Sequence, residues 1–162
     1  MFLNELAERR VVVIFCGRFQ PFHLGHARVY NNLVSTYGRN NVYIGTSGKV
    51  EFADSPFTLA DRVYFMNLMG IPADRILEVS SPYKLPAQFK PEDTIFIVAV
   101  GSPDADRLKP NSVKKDGNPG YFKSLSDLKQ ATTADQHGYV IIADERHKLI
   151  DIGKTKVDVS HG

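Results

Sequence analysis

The chain has 162 residues, 43% of them hydrophobic and 23% charged, with 20 Lys plus Arg against 18 Asp plus Glu and a formal net charge of +2. That balance belongs to a folded chain with a real core, excludes extensive disorder, and gives no electrostatic case for sequence-independent nucleic-acid binding. A small anionic ligand remains the class that charge allows.

The single Cys16 can form neither an internal disulfide nor a thiolate zinc site, so a reducing, cytoplasmic setting is expected. The first ten residues, Met1 to Arg10, are amphipathic, with acidic residues ahead of Arg9 and Arg10 rather than the basic start of an export signal. The longest apolar run, Val11 to Cys16, is far shorter than the roughly 20 residues that span a bilayer. No membrane contact is expected.

Val11-Val12-Val13-Ile14-Phe15-Cys16 is apolar without alternation and ends at Gly17, the pattern of a parallel strand buried on both faces. From Leu24, apolar residues recur at Ala27, Val29, Tyr30, Leu33 and Val34, which predicts a helix stopping at Gly38. Val42 to Thr46 reads as a second strand. Ser55-Pro56 predicts the start of a second helix, with Ser as N-cap and Pro in the first position, continuing through Leu59, Val63, Phe65, Met66 and Met69 to Gly70.

Ile76 to Val79 is a weaker strand candidate, Thr94 to Val100 a strong one ending at Gly101, and Tyr139 to Ala143 another. Between them, Pro103 to Gln136 is polar and broken by Pro and Gly, with one short helical candidate near Leu125 to Gln130, and predicts a mobile functional loop. Strands alternating with helices predict one α/β domain over residues 1–162, a doubly wound parallel sheet with helices on both faces and ligands at the carboxyl ends of its strands.

The stretch Gly17-Arg18-Phe19-Gln20-Pro21-Phe22-His23-Leu24-Gly25-His26 runs from the first buried strand into the first helix. A helix start presents unpaired N–H groups and the positive end of the dipole, a ready anion site. His23 and His26 share the first turn, Gly25 between them carries no Cβ, and Arg18 adds a positive fork. Histidines at a helix start also serve as plain caps. A zinc site lacks a third ligand at a recognisable spacing.

This string resembles the H-x-G-H signature of the nucleotidylyltransferase superfamily, in the longer G-R-F-Q-P-x-H-x-G-H form of the archaeal-type nicotinamide-mononucleotide adenylyltransferases. Asp54 to Arg62 resembles that family's N-P-F-T-x-x-E-R segment, with Ser55 in place of its asparagine and Asp61 in place of its glutamate. The resemblance implies a Rossmann-like fold and attack on the α-phosphorus of ATP by a phosphate of the acceptor, most simply nicotinamide mononucleotide, with NAD and pyrophosphate as products. It also implies Mg²⁺ as cofactor, ATP and a phosphorylated small molecule as partners, and a homo-oligomer. Cytidylyl transfer, adenylyl transfer to pantetheine phosphate, and a nucleotide-binding module without turnover are the alternatives.

Residue by residue, the resemblance gives His23, His26 and Arg18 the catalytic contacts to the triphosphate, with His26 nearest the reacting phosphate. It places Gly17, Phe19, Gly25 and Gly101 against the nucleotide together with Asp104, whose Gly101-Ser102-Pro103-Asp104 turn resembles a G-x-D type turn or is a plain turn. Phe57 and Arg62 fall at the acceptor, although a surface Arg62 paired with a carboxylate is the other reading. Tyr121 and Phe122 either cover a base or anchor their loop.

The departure lies near residue 160. The family's late I-S-x-T-x-x-R signature, at a helix start, binds the triphosphate from the far side, and Val157 to Gly162 resembles only its opening, with Ser160 the matching serine. The expectation is a domain without that signature helix. A dehydrogenase is set aside because the loop after the first strand carries histidines instead of G-x-G-x-x-G.

Overall fold

A computed structural model of the chain describes residues 9–47, 56–81, 84–101 and 120–143. The apolar run at the start becomes β1 (Arg10–Cys16), followed by α1 (Leu24–Tyr37) and β2 (Val42–Thr46). Then come α2 (Leu59–Leu68), β3 (Ile76–Glu78), β4 (Thr94–Val100), β5 (Phe122–Ser124) and β6 (Gly138–Ile142). The strands form a six-stranded sheet in the order β3-β2-β1-β4-β6-β5. Every pairing is parallel.

β1 lies at the centre, pairing Phe15 with Ile44 on one side and with Ala99 on the other. All residues of β2 and β4 are buried, which is why their sequences lack the alternation of a half-exposed strand. Successive side chains still point to opposite faces. Val13, Phe15, Ile44, Ile95 and Ile97 pack with Val29, Tyr30 and Leu33 of α1 and Met66 of α2. Val12, Ile14, Cys16, Phe96, Val98 and Val100 form the second layer with Phe89, Phe122 and Ala134.

Both α-helices among the described residues therefore cover the same face. The opposite face, where helices were also expected, is covered among those residues by Phe89, Phe122 and Ala134. Residues 102–119, between β4 and β5, are not among the described residues, and neither are Asp104, Ser55 or Ser160.

α1 runs as expected from Leu24 to its stop at Gly38, whose φ of +95° suits glycine and whose N–H bonds the Val34 carbonyl at 2.8 Å. α2 departs from expectation. Pro56 and Phe57 lie ahead of the helix and Thr58 is its N-cap, because Thr58 Oγ1 accepts from the Asp61 N–H at 3.1 Å while Asp61 Oδ2 accepts from the Thr58 N–H at 3.0 Å. A reciprocal box satisfies two end donors, more than a lone Ser cap would.

The expected loop is also corrected in part, since Phe122–Ser124 is a strand on β6 and a single 3-10 turn occupies Leu128–Gln130. Phe122 is buried against Phe96, and the Tyr121 hydroxyl donates to the Ala134 carbonyl at 2.5 Å, so both aromatics anchor their segment to the sheet.

Gly45, opposite Cys16, sits where the sheet leaves no room for a side chain: a Cβ there would stand 2.7 Å from Cγ2 of Ile14. Ile14 is fully packed and stiff about χ1, so it cannot yield cheaply. Gly45→Ala is expected to destabilise the fold by about 1–3 kcal/mol, read from the urea midpoint at unchanged m-value.

Candidate functional site

The chain leaves β1 through α1 toward β2 on one side, and leaves β4 toward β5 and β6 on the other. The connections diverge from this central pair, so its carboxyl ends stay open as a crevice. A cleft of about 410 Å³ lies there, lined by the chain from Phe15 through Gly17, Arg18, Phe19, Gln20 and Pro21, by His23 and His26, and by Gly101 from the β4 side. Gly17, Arg18, Phe19, His23, His26 and Gly101 are thus brought together, as expected.

The two histidines build the helix start between them. His23 is the N-cap, with Nδ1 accepting from the Gly25 N–H at 3.1 Å, and His26 Nδ1 accepts in turn from the His23 N–H at 3.1 Å. Their rings stack at 3.7 Å between centroids. The plain-cap reading of these residues is therefore correct as structure, and it has a chemical consequence. A neutral imidazole whose Nδ1 accepts carries its proton on Nε2, so each ring keeps one further N–H donor.

His26 is half-buried beside Phe15, Phe19 and Phe22, with centroids 6.3, 5.0 and 5.3 Å away. Burial, then the neighbouring His23, push the His26 imidazole down to about 4. It is neutral at physiological pH. The first turn of α1 holds no acidic residue, whereas that of α2 holds Asp61, so the positive end of α1 is not offset by a carboxylate of its own.

Phe19 adopts φ +52°, in the left-handed region that a bulky residue enters only under constraint. Its ring folds back over Gly17, where a Cβ would stand 2.9 Å from it, and packs edge-on to Phe15 at 5.2 Å and Phe22 at 5.3 Å. Phe19 is the buried prop of the loop as well as part of the cleft wall. Gly25 is buried behind the histidines with its N–H held by His23, and does not line the cleft.

Arg62 is not the surface arginine of the alternative reading, since it is 1% exposed. Its Nη1 donates to the Thr46 hydroxyl at 2.7 Å and to the Arg18 carbonyl at 3.2 Å, and its Nε donates to the Thr58 carbonyl at 3.2 Å. It bolts α2 to the end of β2 and to the loop. Phe57 stands apart from the cleft lining, edge-on to Phe65 at 5.5 Å.

Sequence reasoning missed Gln20. Its Nε2 donates to the Phe57 carbonyl at 3.0 Å and its Oε1 accepts from the Phe57 N–H at 2.7 Å. The residue stands inside the quoted motif, but a partner so distant in sequence leaves no local pattern. Cys16, on the cleft floor, has its thiol pushed up to about 12 by burial and points Sγ at the Ile14 carbonyl, so it is a core residue and not a nucleophile.

Among the described residues no group of three or more His, Cys, Asp or Glu is placed to hold a metal ion, and no helix is long and apolar enough to cross a membrane.

An open parallel sheet with a histidine-capped helix start beside the cleft at its switch point is the architecture of a nucleotide-handling fold. The family profile described as cytidylyltransferase-like matches residues 14–114, and the chain belongs to that family. Among curated proteins, the nicotinamide-nucleotide adenylyltransferase of Halobacterium salinarum is 41% identical over 49 residues, covering 30% of this chain and 28% of that protein. Nicotinamide-nucleotide adenylyltransferase 1 of Sulfolobus acidocaldarius is 28% identical over 128 residues, 79% of this chain and 65% of that protein. The enzyme of the same name from Archaeoglobus fulgidus is 36% identical over 53 residues, 33% of this chain and 30% of that protein. The chain spans less than two thirds of the length of each of these relatives.

The low pKa of His26 makes stability depend on pH. Unfolded histidine takes up its proton near pH 6.5 and folded His26 near 4, so in that window the unfolded state binds more protons and stability rises with pH. The contribution is complete above about 6.5 and disappears as pH falls through about 4. His26→Gln, whose amide oxygen can still accept at the third helical position, is expected to lose less melting temperature than the wild type between pH 6.5 and 4. Equal losses would remove His26 as the cause.

Proposed function

We propose that this protein transfers an adenylyl group from ATP to a phosphate-bearing acceptor, nicotinamide mononucleotide, releasing pyrophosphate and forming NAD. The names of the relatives support the acceptor, and the family supports the reaction type. An acceptor phosphate oxygen forms a bond to the α-phosphorus as the bond from that phosphorus to the β-bridging oxygen breaks, and the electron pair leaves with pyrophosphate. The chain need supply no covalent nucleophile.

The observation that carries the reading is the reciprocal histidine cap. It fixes two imidazoles at the positive end of α1 with Nε2–H as their remaining donor, beside a cleft at the sheet's switch point. A neutral donor that needs no reorganisation is suited to the charge that spreads over the phosphates in the transition state. His26 acts in this reading as a hydrogen-bond donor and not as an acid, and Arg18, exposed at the cleft rim, supplies the positive charge.

Mg²⁺ enters the proposal as the companion of ATP. It is a hard cation that prefers oxygen, and the described cleft lining offers no carboxylate, its one side-chain oxygen, Gln20 Oε1, being engaged by the Phe57 N–H, so phosphate oxygens and water would carry it. A cytoplasmic setting fits the buried, unpaired Cys16.

The test is pyrophosphate release by the full-length protein with ATP or CTP and a panel of acceptors: nicotinamide mononucleotide, pantetheine phosphate and simple phosphomonoesters. Turnover with ATP and nicotinamide mononucleotide supports the proposal. Turnover only with CTP or another acceptor reassigns the substrates, and tight nucleotide binding without turnover makes the chain a binding module. Within that assay, His26→Ala should lower kcat by about 10²–10³-fold, the usual loss when a preorganised donor to developing charge is removed. His23→Ala should chiefly raise KM for ATP. Near wild-type kcat in His26→Ala would reduce the motif to a nucleotide-holding site.

A further inference from the structure

Two separate ties join the phosphate-side loop to the segment that opens α2. Gln20 pairs with both backbone groups of Phe57, and Arg62 reaches back to the Arg18 carbonyl. The first tie has a distinctive chemistry. A side-chain amide carries one acceptor and one donor side by side, and here both meet the N–H and C=O of a single residue, as a neighbouring strand would.

Such a two-point contact fixes orientation as well as distance. Phe57 lies in neither helix nor strand, so no ladder sets the direction of its backbone. Gln20 follows directly on Phe19, whose backbone is held at φ +52° by a ring packed into the aromatic cluster around His26. A continuous path of rigid contacts therefore runs from the His26 imidazole through Phe19 to Gln20, and across to Phe57.

We infer that Gln20 is a positioning residue, which sets the α2 entry segment relative to the histidines so that acceptor and α-phosphate meet in line. The inference rests on the transfer reading above. Its physical basis is that misplacing a reacting group by about 1 Å, even through a distant change, can cost about 10²-fold in rate. Nothing in it requires Gln20 to touch either substrate, and a residue with that role acts on kcat more than on nucleotide affinity.

The decisive variant is Gln20→Met in the full-length protein, which keeps the length and bulk of the side chain and removes both hydrogen bonds. The expected result is a 10–100-fold fall in kcat with ATP affinity, measured by equilibrium binding, within about threefold of wild type. Gln20→Glu, which keeps the acceptor for the Phe57 N–H but opposes a carboxylate to the Phe57 carbonyl, should fall as far. Amide exchange at Phe57 should be slow in the wild type and fast in Gln20→Met, with melting temperatures close enough to show that both proteins are folded. Wild-type kcat in Gln20→Met overturns the inference. So does fast Phe57 exchange in the wild type, or a loss of ATP affinity as large as the loss of kcat. Failure of the transfer reading is a different result, in which the wild type itself releases no pyrophosphate with any acceptor.

Discussion

Everything in this molecule that bears on ligands depends on the divergence of the chain around the β1–β4 pair. A parallel strand cannot be joined to its neighbour by a tight turn, so each connection must cross over one face of the sheet, and right-handed crossovers send the chain to one side before it must return for the other. β1 feeds β2 and then β3 outward in one direction, and β4 starts the other. Among the described residues the carboxyl ends of both central strands face a cleft, and the loop after β1 stands in it. Full burial of β2 and β4, and of β1 from Val12 to Cys16, is the other side of the same constraint, since the strands that carry the crevice are held by the whole core.

On that base the site is assembled with little machinery. The Nδ1 atoms of His23 and His26 take over the work that Ser, Asp or Glu side chains usually perform at a helix start. An acidic cap would place negative charge where the proposed reaction needs a phosphate, so under that proposal imidazole caps reconcile two demands that a carboxylate sets against each other. The aromatic cluster of Phe15, Phe19 and Phe22 then desolvates His26 and holds its proton affinity low. Arg62, buried at the junction of β2, α2 and the loop, brings the second motif against the first.

How much of this was legible in the sequence differs from element to element for physical reasons. β1, β2, β4 and β6 were legible to within a residue because each carries a run of mostly apolar residues, many of them β-branched, and α1 because its apolar spacing and the stop at Gly38 agree. β5 was not, because three residues with only Phe122 apolar carry no period, and the partner β6 decides their conformation. The start of α2 was misplaced because Ser55-Pro56 and Thr58 with Asp61 are rival caps, and a reciprocal box outweighs a single side-chain bond. The histidine string was legible as a loop and helix start at the sheet's edge from its position after a buried strand. The burial of Arg62 and the Gln20–Phe57 contact were not, since both depend on which segments meet across the loop.

The double use of the histidines also bears on how such a site can change over time. Residues kept for binding commonly weaken a fold, so a lineage that abandons an activity can gain stability by replacing them. Here the reverse holds, because replacing His23 or His26 with a residue that cannot accept from the backbone removes a helix cap, typically about 1 kcal/mol. A descendant that no longer used the cleft would still be under pressure to keep an accepting side chain at both positions. The fold thus accounts for an accepting side chain at each position, and the choice of imidazole over a hydroxyl or carboxylate is the part that the fold alone does not require.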